Sequence, residues 1–377
     1  MNETCRTRLP NDNVLAITGY STTSEHYVPS QNAWYADGNV PVPVFGYGGE
    51  LGPAFVVPNG NGFQIGATTN TAIYTPGGSP TSAGSWVAGP GMPGNLGAVD
   101  APAAMMVNGR VLCDIGPVDG FNGPCSFYEY DYVANSFTQV GAPGGGSTYG
   151  GAPFGTSMLC LPDGGVLFVG GQNSGSLYEY MPDGTPLAAG QPGINNLTEN
   201  FDGSYRLTGT NLAGISAGAA YGDDEQMDSN YPLVRMTNSV TGNVYYARTY
   251  GWSSTTIQNP NPTTTEFVLP QGLPGGTYSL SAVANGNPSA PQTFVYTPPP
   301  IPTGLTASSG SNALVNLSWN ASAGATAYNL KRSATSTGYF ATVATLTGTT
   351  YTNTGLTNGF MYYFKVQVAE EPNTWLT

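Results

Sequence analysis

The chain has 377 residues, of which only 8% are charged, and a formal net charge of -13. So few basic residues leave nothing to form a footprint on nucleic acid or on an anionic membrane. Gly (53) and Pro (31) are abundant, but 11% aromatics and regular apolar alternation read as turn-dense β structure, not low complexity.

The pattern begins directly with a strand, with neither a basic nor an apolar leader, so a signal peptide is expected to lie outside this sequence. No apolar run reaches the roughly 18 residues that a membrane helix needs. Residues 9–34 read Leu9-Pro-Asn-Asp-Asn-Val-Leu-Ala-Ile-Thr-Gly19, then a strand with His26 and Tyr27, then Asn32-Ala-Trp34. The same order recurs over 55–86 and 105–137, and in Met158-Leu-Cys-Leu-Pro-Asp-Gly-Gly-Val-Leu-Phe-Val-Gly-Gly171 with its following Tyr178 and Tyr180. Each copy is a strand, a tight Asn/Asp-Gly-type turn, a strand ending near Gly, and a third strand closed by an aromatic residue. Tyr27, Tyr74, Tyr130 and Tyr180 lie 47, 56 and 50 residues apart. A repeat near 50 residues with these features is the signature of kelch propeller blades, and four fall in residues 1–190.

Residues 191–298 follow as short alternating strands at regular spacing, which predicts a β-sandwich of Ig-like type. Residues 299–302 close a proline-rich spacer, Thr297-Pro-Pro-Pro-Ile-Pro302. Residues 303–377 carry Leu305, Trp319, Tyr328, Tyr351 and then Leu356, Gly359, Tyr362, Phe364 and Val366. That arrangement resembles a fibronectin type III domain, with Trp319 as core anchor and the Leu356–Tyr362 spacing as its tyrosine corner. The tail, Glu370-Glu-Pro-Asn-Thr-Trp-Leu-Thr377, makes a poor final strand. The expected class is all-β: kelch-type blades followed by two β-sandwiches.

Blades followed by a sandwich containing Ala219-Ala-Tyr-Gly-Asp-Asp-Glu225 and Tyr231-Pro-Leu-Val-Arg235 resemble the galactose oxidase and glyoxal oxidase class of bacterial kelch proteins over residues 8–298. The resemblance implies a copper ion held by two tyrosines and two histidines. The family's Tyr-His pair falls on Phe154 and Gly155, and the second histidine's region, around Thr241–Tyr245 and Tyr250–Ser253, contains none. The chain's one histidine, His26, cannot build a nitrogen-rich copper site, so no copper cofactor is expected. The family's propeller has seven blades against four here. The chain is therefore expected to be a C-terminal piece of a longer protein with a partial propeller, unless four blades close alone or two chains complete each other. The isolated chain's apolar surfaces, Val14, Leu15 and Ile17 at one end and Leu167 and Phe168 at the other, call for self-association or closure into a small ring.

Other constellations offer alternatives. Asp223, Asp224 and Asp228, with Glu225, form an acidic loop that either binds Ca²⁺ or is simply solvated. Glu129 with Asp131, and Glu179 with Asp183, have the residue types of paired glycosidase acids, but structural repetition of the third strand explains them more simply. His26 reads as a half-exposed strand residue. Cys5, Cys113, Cys125 and Cys160 lack zinc spacing; Cys113 and Cys125 flank one hairpin and either pair or remain buried thiols. Tyrosines at loop ends offer flat faces for sugar rings. The expected function is an extracellular or cell-surface, carbohydrate-associated protein that binds a polysaccharide and lacks the copper radical site. Its rivals are a secreted glycoside hydrolase and a structural or adhesive surface protein. As a hydrolase it would use Asp223, Asp224 and Glu225, then Asp114 and Asp119.

Overall fold

The computed structural model describes residues 4–170, 176–200, 202–217, 219–221, 230, 232–310 and 313–369. They are all-β, as expected, and helical residues among them occur only in single 3₁₀ turns. None of the helices is long and apolar enough to cross a membrane.

The four repeats form four consecutive antiparallel meanders. Sheet 1 contains β1 (Thr4–Arg8), β2 (Val14–Thr18), β3 (Ser24–Val28) and β4 (Ala33–Ala36). Sheet 2 contains β5 (Ala54–Val56), β6 (Gly62–Ile65), β7 (Thr71–Thr75) and β8 (Ser85–Ala88). Sheet 3 runs through β10 (Ala103–Met105), β11 (Val111–Pro117), β12 (Ser126–Asp131) and β13 (Ser136–Val140), with β9 (Leu96–Gly97) on the end of β11. Sheet 4 has three strands, β14 (Ser157–Cys160), β15 (Val166–Gly170) and β16 (Ser176–Tyr180).

The sheets pack face to face because alternate residues on each are apolar on both sides. Leu15 and Ile17 of sheet 1 meet Ala72, Tyr74 and Trp86 of sheet 2. Phe55, Phe63 and Ile65 of sheet 2 meet Val111, Cys113 and Tyr130 of sheet 3. Leu112 and Phe127 of sheet 3 meet Val166 and Phe168 of sheet 4. The sequence expectation of exposed ends is corrected here: Leu15, Ile17 and Phe168 are buried between sheets. The outward faces carry Trp34 (50% exposed) on sheet 1 and Leu177 (65%) on sheet 4, so the four sheets do not close into a ring over them. One edge is closed. The strand β19 (Ala219–Tyr221), from beyond sheet 4, pairs antiparallel with β1 and makes sheet 1 five-stranded.

His26 also departs from its expected half-exposed place. Its neighbours on β3 alternate outward, but His26 itself faces sheet 2 and is 1% exposed. Its Nδ1 lies 2.9 Å from Asp37 Oδ2 and its Nε2 2.9 Å from the Pro80 carbonyl. The other Asp37 oxygen accepts from Tyr74 Oη (2.9 Å) and the Gly84 amide (2.6 Å). This carboxylate has no exposed surface, so four polar groups from two sheets satisfy one another in place of water. Cys113 and Cys125 are buried free thiols and do not pair.

The next unit has one continuous eight-stranded sheet. Its strands are β17 (Gly193–Glu199), β18 (Tyr205–Thr210), β20 (Leu233–Asn238), β21 (Val244–Tyr250), β22 (Thr263–Phe267), β23 (Gly276–Ala284), β24 (Asn287–Pro288) and β25 (Gln292–Tyr296). β21 joins β22 through only two residue pairs, so the sheet folds over a core of Tyr205, Phe267, Tyr278 and Phe294. The last unit has two three-stranded sheets. One is β26 (Thr306–Gly310), β27 (Leu314–Ser318) and β30 (Thr350–Asn353); the other is β28 (Tyr328–Ser333), β29 (Ala341–Leu346) and β31 (Tyr363–Val368). Trp319, Tyr328, Leu317 and Leu330 form its core. The Thr357 amide donates to Tyr362 Oη at 3.2 Å, the hydrogen bond of a tyrosine corner.

The turns between first and second strands all point at the β17–β25 unit. Asp12 accepts from Thr256, Gln258 Nε2 donates to the Val57 carbonyl at 2.9 Å, and Leu187, whose amide donates to the Val107 carbonyl of the third turn at 2.7 Å, accepts from Asn287 Nδ2 at 2.8 Å. A Cβ on Gly286, whose φ is +69°, would lie 2.8 Å from Gly164 Cα, so backbone meets backbone there. One end of the four meanders is therefore spent on this junction. The described residues of that unit leave the other end open.

Candidate functional site

The free end carries the loops that leave each second strand and enter each first strand. Here several loops each expose an aromatic residue. Tyr20 (61% exposed) follows β2, Tyr47 (55%) sits before sheet 2, Phe121 (39%) lies between β11 and β12, and Phe154 (36%) sits before β14. Tyr47 meets Phe121 edge to face at 5.8 Å between ring centres, and Phe121 meets Phe154 at 5.1 Å. Tyr20 tilts onto Phe45 at 6.3 Å, and its hydroxyl donates to the Gly48 carbonyl in the turn that carries Tyr47. Loops from all four sheets thus build one contiguous aromatic surface. Single exposed aromatics need no explanation, whereas a row assembled from distant loops marks a contact face.

The local sequence fixes this surface. Phe154 rides a 3₁₀ turn, Pro153–Gly155, started by a proline whose φ suits its first position. Pro153 is buried, and a Cβ on Gly116 would lie 2.8 Å from its Cγ, so β11 supports the turn directly. Thr156 ends it: Oγ1 lies 2.8 Å from the Pro153 carbonyl and 2.7 Å from Asp114 Oδ2. Asp114 itself stands in the register position that Ile17, Ile65 and Val169 hold in the other sheets. Burial pushes its carboxyl up to about 7, while the hydrogen bonds from Thr156 and the neighbouring Cys125 thiol oppose the rise. Asp114 Oδ1 meets no hydrogen-bond partner of normal geometry among the described residues.

The candidate acids lie apart from one another in character. Asp114 is fully buried beneath the aromatic row, and Asp119 is exposed two residues from Phe121. Asp223, Asp224, Glu225 and Asp228 lie outside the described residues. Among those described, no group of three or more His, Cys, Asp or Glu side chains could hold a metal ion. Glu129 is not poised as a catalytic acid. Its two oxygens accept from Arg110 (2.9 Å) and from Tyr180 of the next sheet (2.7 Å), and Arg110 also reaches Asp131 at 3.2 Å. The pair is a bridge between sheets 3 and 4. Phe154, which the sequence reading set against one member of a metal-binding pair, is instead the end of the aromatic row, in edge contact with Phe121. Sequence reasoning missed Tyr47 and Phe121, whose signal was an aromatic residue embedded in Gly46-Tyr-Gly-Gly49 and Gly120-Phe-Asn-Gly123.

No family model matches the chain. Amylopullulanase of Thermoanaerobacterium saccharolyticum is 41% identical over 76 residues, which are 20% of this chain and 6% of that protein. The match thus spans a small part of both. Among solved structures, a luciferin-regenerating enzyme is similar at a TM-score of 0.33 and 14% identity, covering 72% of this chain and 92% of its own. The chicken CNTN1 FN1-FN3 domains (TM-score 0.21, 10% identity, 71% and 92% covered) and titin domains A168-A170 (0.18, 17%, 70% and 88%) are also similar.

Proposed function

We propose that this chain is a glycan-binding protein of the extracellular space or cell surface. In this reading residues 1–190 are four blades of a kelch-like propeller, 191–298 an Ig-like sandwich and 303–377 a fibronectin type III domain. The row Tyr47–Phe121–Phe154 carries the proposal. Its rings present flat apolar faces with polar loop backbone beside them, the combination that sugar rings stack on. It occupies the end of the meanders that the sandwich leaves open. The partial similarity to an amylopullulanase supports association with carbohydrate, and the chain's scarcity of basic groups fits a neutral ligand.

The reading excludes oxidase chemistry of the galactose oxidase type. Phe154 and Gly155 offer no copper ligand, and His26, both of whose ring nitrogens are engaged inside the sheets, stands apart from them. It also disfavours the glycoside hydrolase alternative among the described residues, since Glu129 and Asp131 share Arg110 and Asp114 is enclosed.

Affinity electrophoresis against pullulan, starch, cellulose, xylan and galactan tests the proposal. Retardation by at least one polymer is expected, weakened about tenfold or more by Tyr47→Ala or Phe121→Ala, a loss of about 1.4 kcal/mol. Reducing ends and peroxide, measured in parallel, should both stay at background. No retardation by any neutral polysaccharide, or retardation indifferent to both substitutions, would reject it.

A further inference from the structure

Sheets 1 to 3 repeat one contact that sheet 4 lacks. The third-strand tyrosine faces an aromatic residue of the fourth strand in register: Tyr27 with Trp34, Tyr74 with Trp86, Tyr130 with Phe137. The ring centres lie 5.2, 5.1 and 5.3 Å apart. The fourth-strand residue points into the gap between its own sheet and the preceding one. Trp86 is buried against sheet 1, and its Nε1 donates to Ser24 Oγ at 2.8 Å. Phe137 lies 6.3 Å from the Phe63 ring of sheet 2. In each case a small residue precedes the aromatic one: Ala33, Ser85 and Ser136.

Sheet 4 has the tyrosine, Tyr180, in the equivalent register against Val166. Among the described residues it has no fourth strand, and β16 pairs only with β15. The corresponding gap, between sheets 3 and 4, is a pocket of about 220 Å³. Leu112, Phe127, Phe168, Tyr178, Tyr180 and the turn at 141–144 line it. An open strand edge beside a pocket with aromatic walls is the combination that captures an extended peptide: the edge supplies main-chain hydrogen bonds and the pocket selects a side chain.

We propose that the edge of β16 at Leu177–Tyr180, which no described strand pairs, is a docking site for a strand donated by a separate polypeptide. That strand runs antiparallel to β16 and carries a small residue followed by Trp or Phe, whose ring enters the pocket opposite Tyr180. The chemistry of the occupant is read from the three strands by which this chain completes its own sheets. The site lies between sheets 3 and 4 and is independent of the aromatic row at the free end.

The test uses the full chain and a labelled synthetic peptide with the sequence of residues 82–89, Ser-Ala-Gly-Ser-Trp-Val-Ala-Gly. Fluorescence anisotropy is expected to show saturable binding. Replacing the peptide's Trp by Ala should weaken it at least tenfold, replacing Trp by Phe much less, and N-methylation of alternate peptide amides should abolish it. Hydrogen exchange should slow across residues 177–180 in the complex. Absence of saturable binding, equal binding of the Ala peptide, binding indifferent to N-methylation, or protection confined to other strands would each overturn the proposal. A protein variant, Leu177→Ser on the outward face of sheet 4, should bind as the parent does.

Discussion

The hydroxyl of Thr156 has two acceptors within reach, Asp114 Oδ2 at 2.7 Å and the Pro153 carbonyl at 2.8 Å, and only one proton. Both contacts are satisfied together when Asp114 is protonated: the carboxyl donates to Thr156 Oγ1, and Thr156 donates to Pro153. Burial pushes Asp114 up to about 7, in the same direction. The folded chain therefore binds this proton over a range where the unfolded chain has lost it. Stability from this group should fall as pH rises from about 4 towards 7, then level off, by at most about 4 kcal/mol. Asp114→Asn should flatten that part of the stability–pH curve and gain stability at pH 8. Denaturant unfolding at pH 4, 6 and 8 checks this, and an unchanged pH slope in the variant would refute it.

Asp37 gathers His26, Tyr74 and the Gly84 amide inside sheets 1 and 2. Asp37→Ala strands three buried polar groups at once, for which a loss of about 3–5 kcal/mol is expected. Thermal unfolding followed by calorimetry measures it. A variant within 1 kcal/mol (roughly the cost of one ordinary hydrogen bond) of the parent would show that the network contributes little.

Gly286→Ala should loosen the junction between sheet 4 and the β17–β25 unit. Its φ of +69° already penalises a side chain, and the new Cβ would press on Gly164 Cα at 2.8 Å. Gly184→Ala, at φ +93° with nothing within 4 Å, has the conformational penalty alone, roughly 1–2 kcal/mol. Limited proteolysis should cut the Gly286 variant faster around residues 161–164. Equal rates in the two variants would remove the close approach as the cause.

Trp319 is 5% exposed at the centre of the last unit, edge to face with Tyr328 at 5.7 Å. Trp319→Ala should cost about 3–5 kcal/mol in that unit. The transition assigned to residues 303–369 should fall in temperature while the others stay put. If that transition did not move, Trp319 would not anchor this core.

Much of this was legible in the sequence because turn chemistry and strand alternation are local. Pro162-Asp-Gly164 and Pro58-Asn-Gly60 dictate tight turns wherever they occur, and Tyr27, Tyr74, Tyr130 and Tyr180 recur at one point of each repeat. The all-β class, the meanders and the Leu356–Tyr362 corner follow from such short-range rules. The expectation that a copper site built on two histidines is missing rests on composition alone, since the sequence has one histidine.

What the sequence left open depends on which face of a strand meets which neighbour. Alternation says that Ile17 and Ala16 point opposite ways, but not that Ile17 is the one that meets sheet 2. Hence Leu15 and Phe168 read as exposed ends and proved to be interior, and His26 read as half-exposed and proved to be enclosed. Tyr47, Phe121 and Phe154 are 74 and 33 residues apart along the chain, and only the stacking of the sheets brings their rings together. The local code settles turns and strands because its energies arise within a few residues. The buried networks, the aromatic row and the pocket beside Tyr180 arise between sheets, and only the packed tertiary structure decides them.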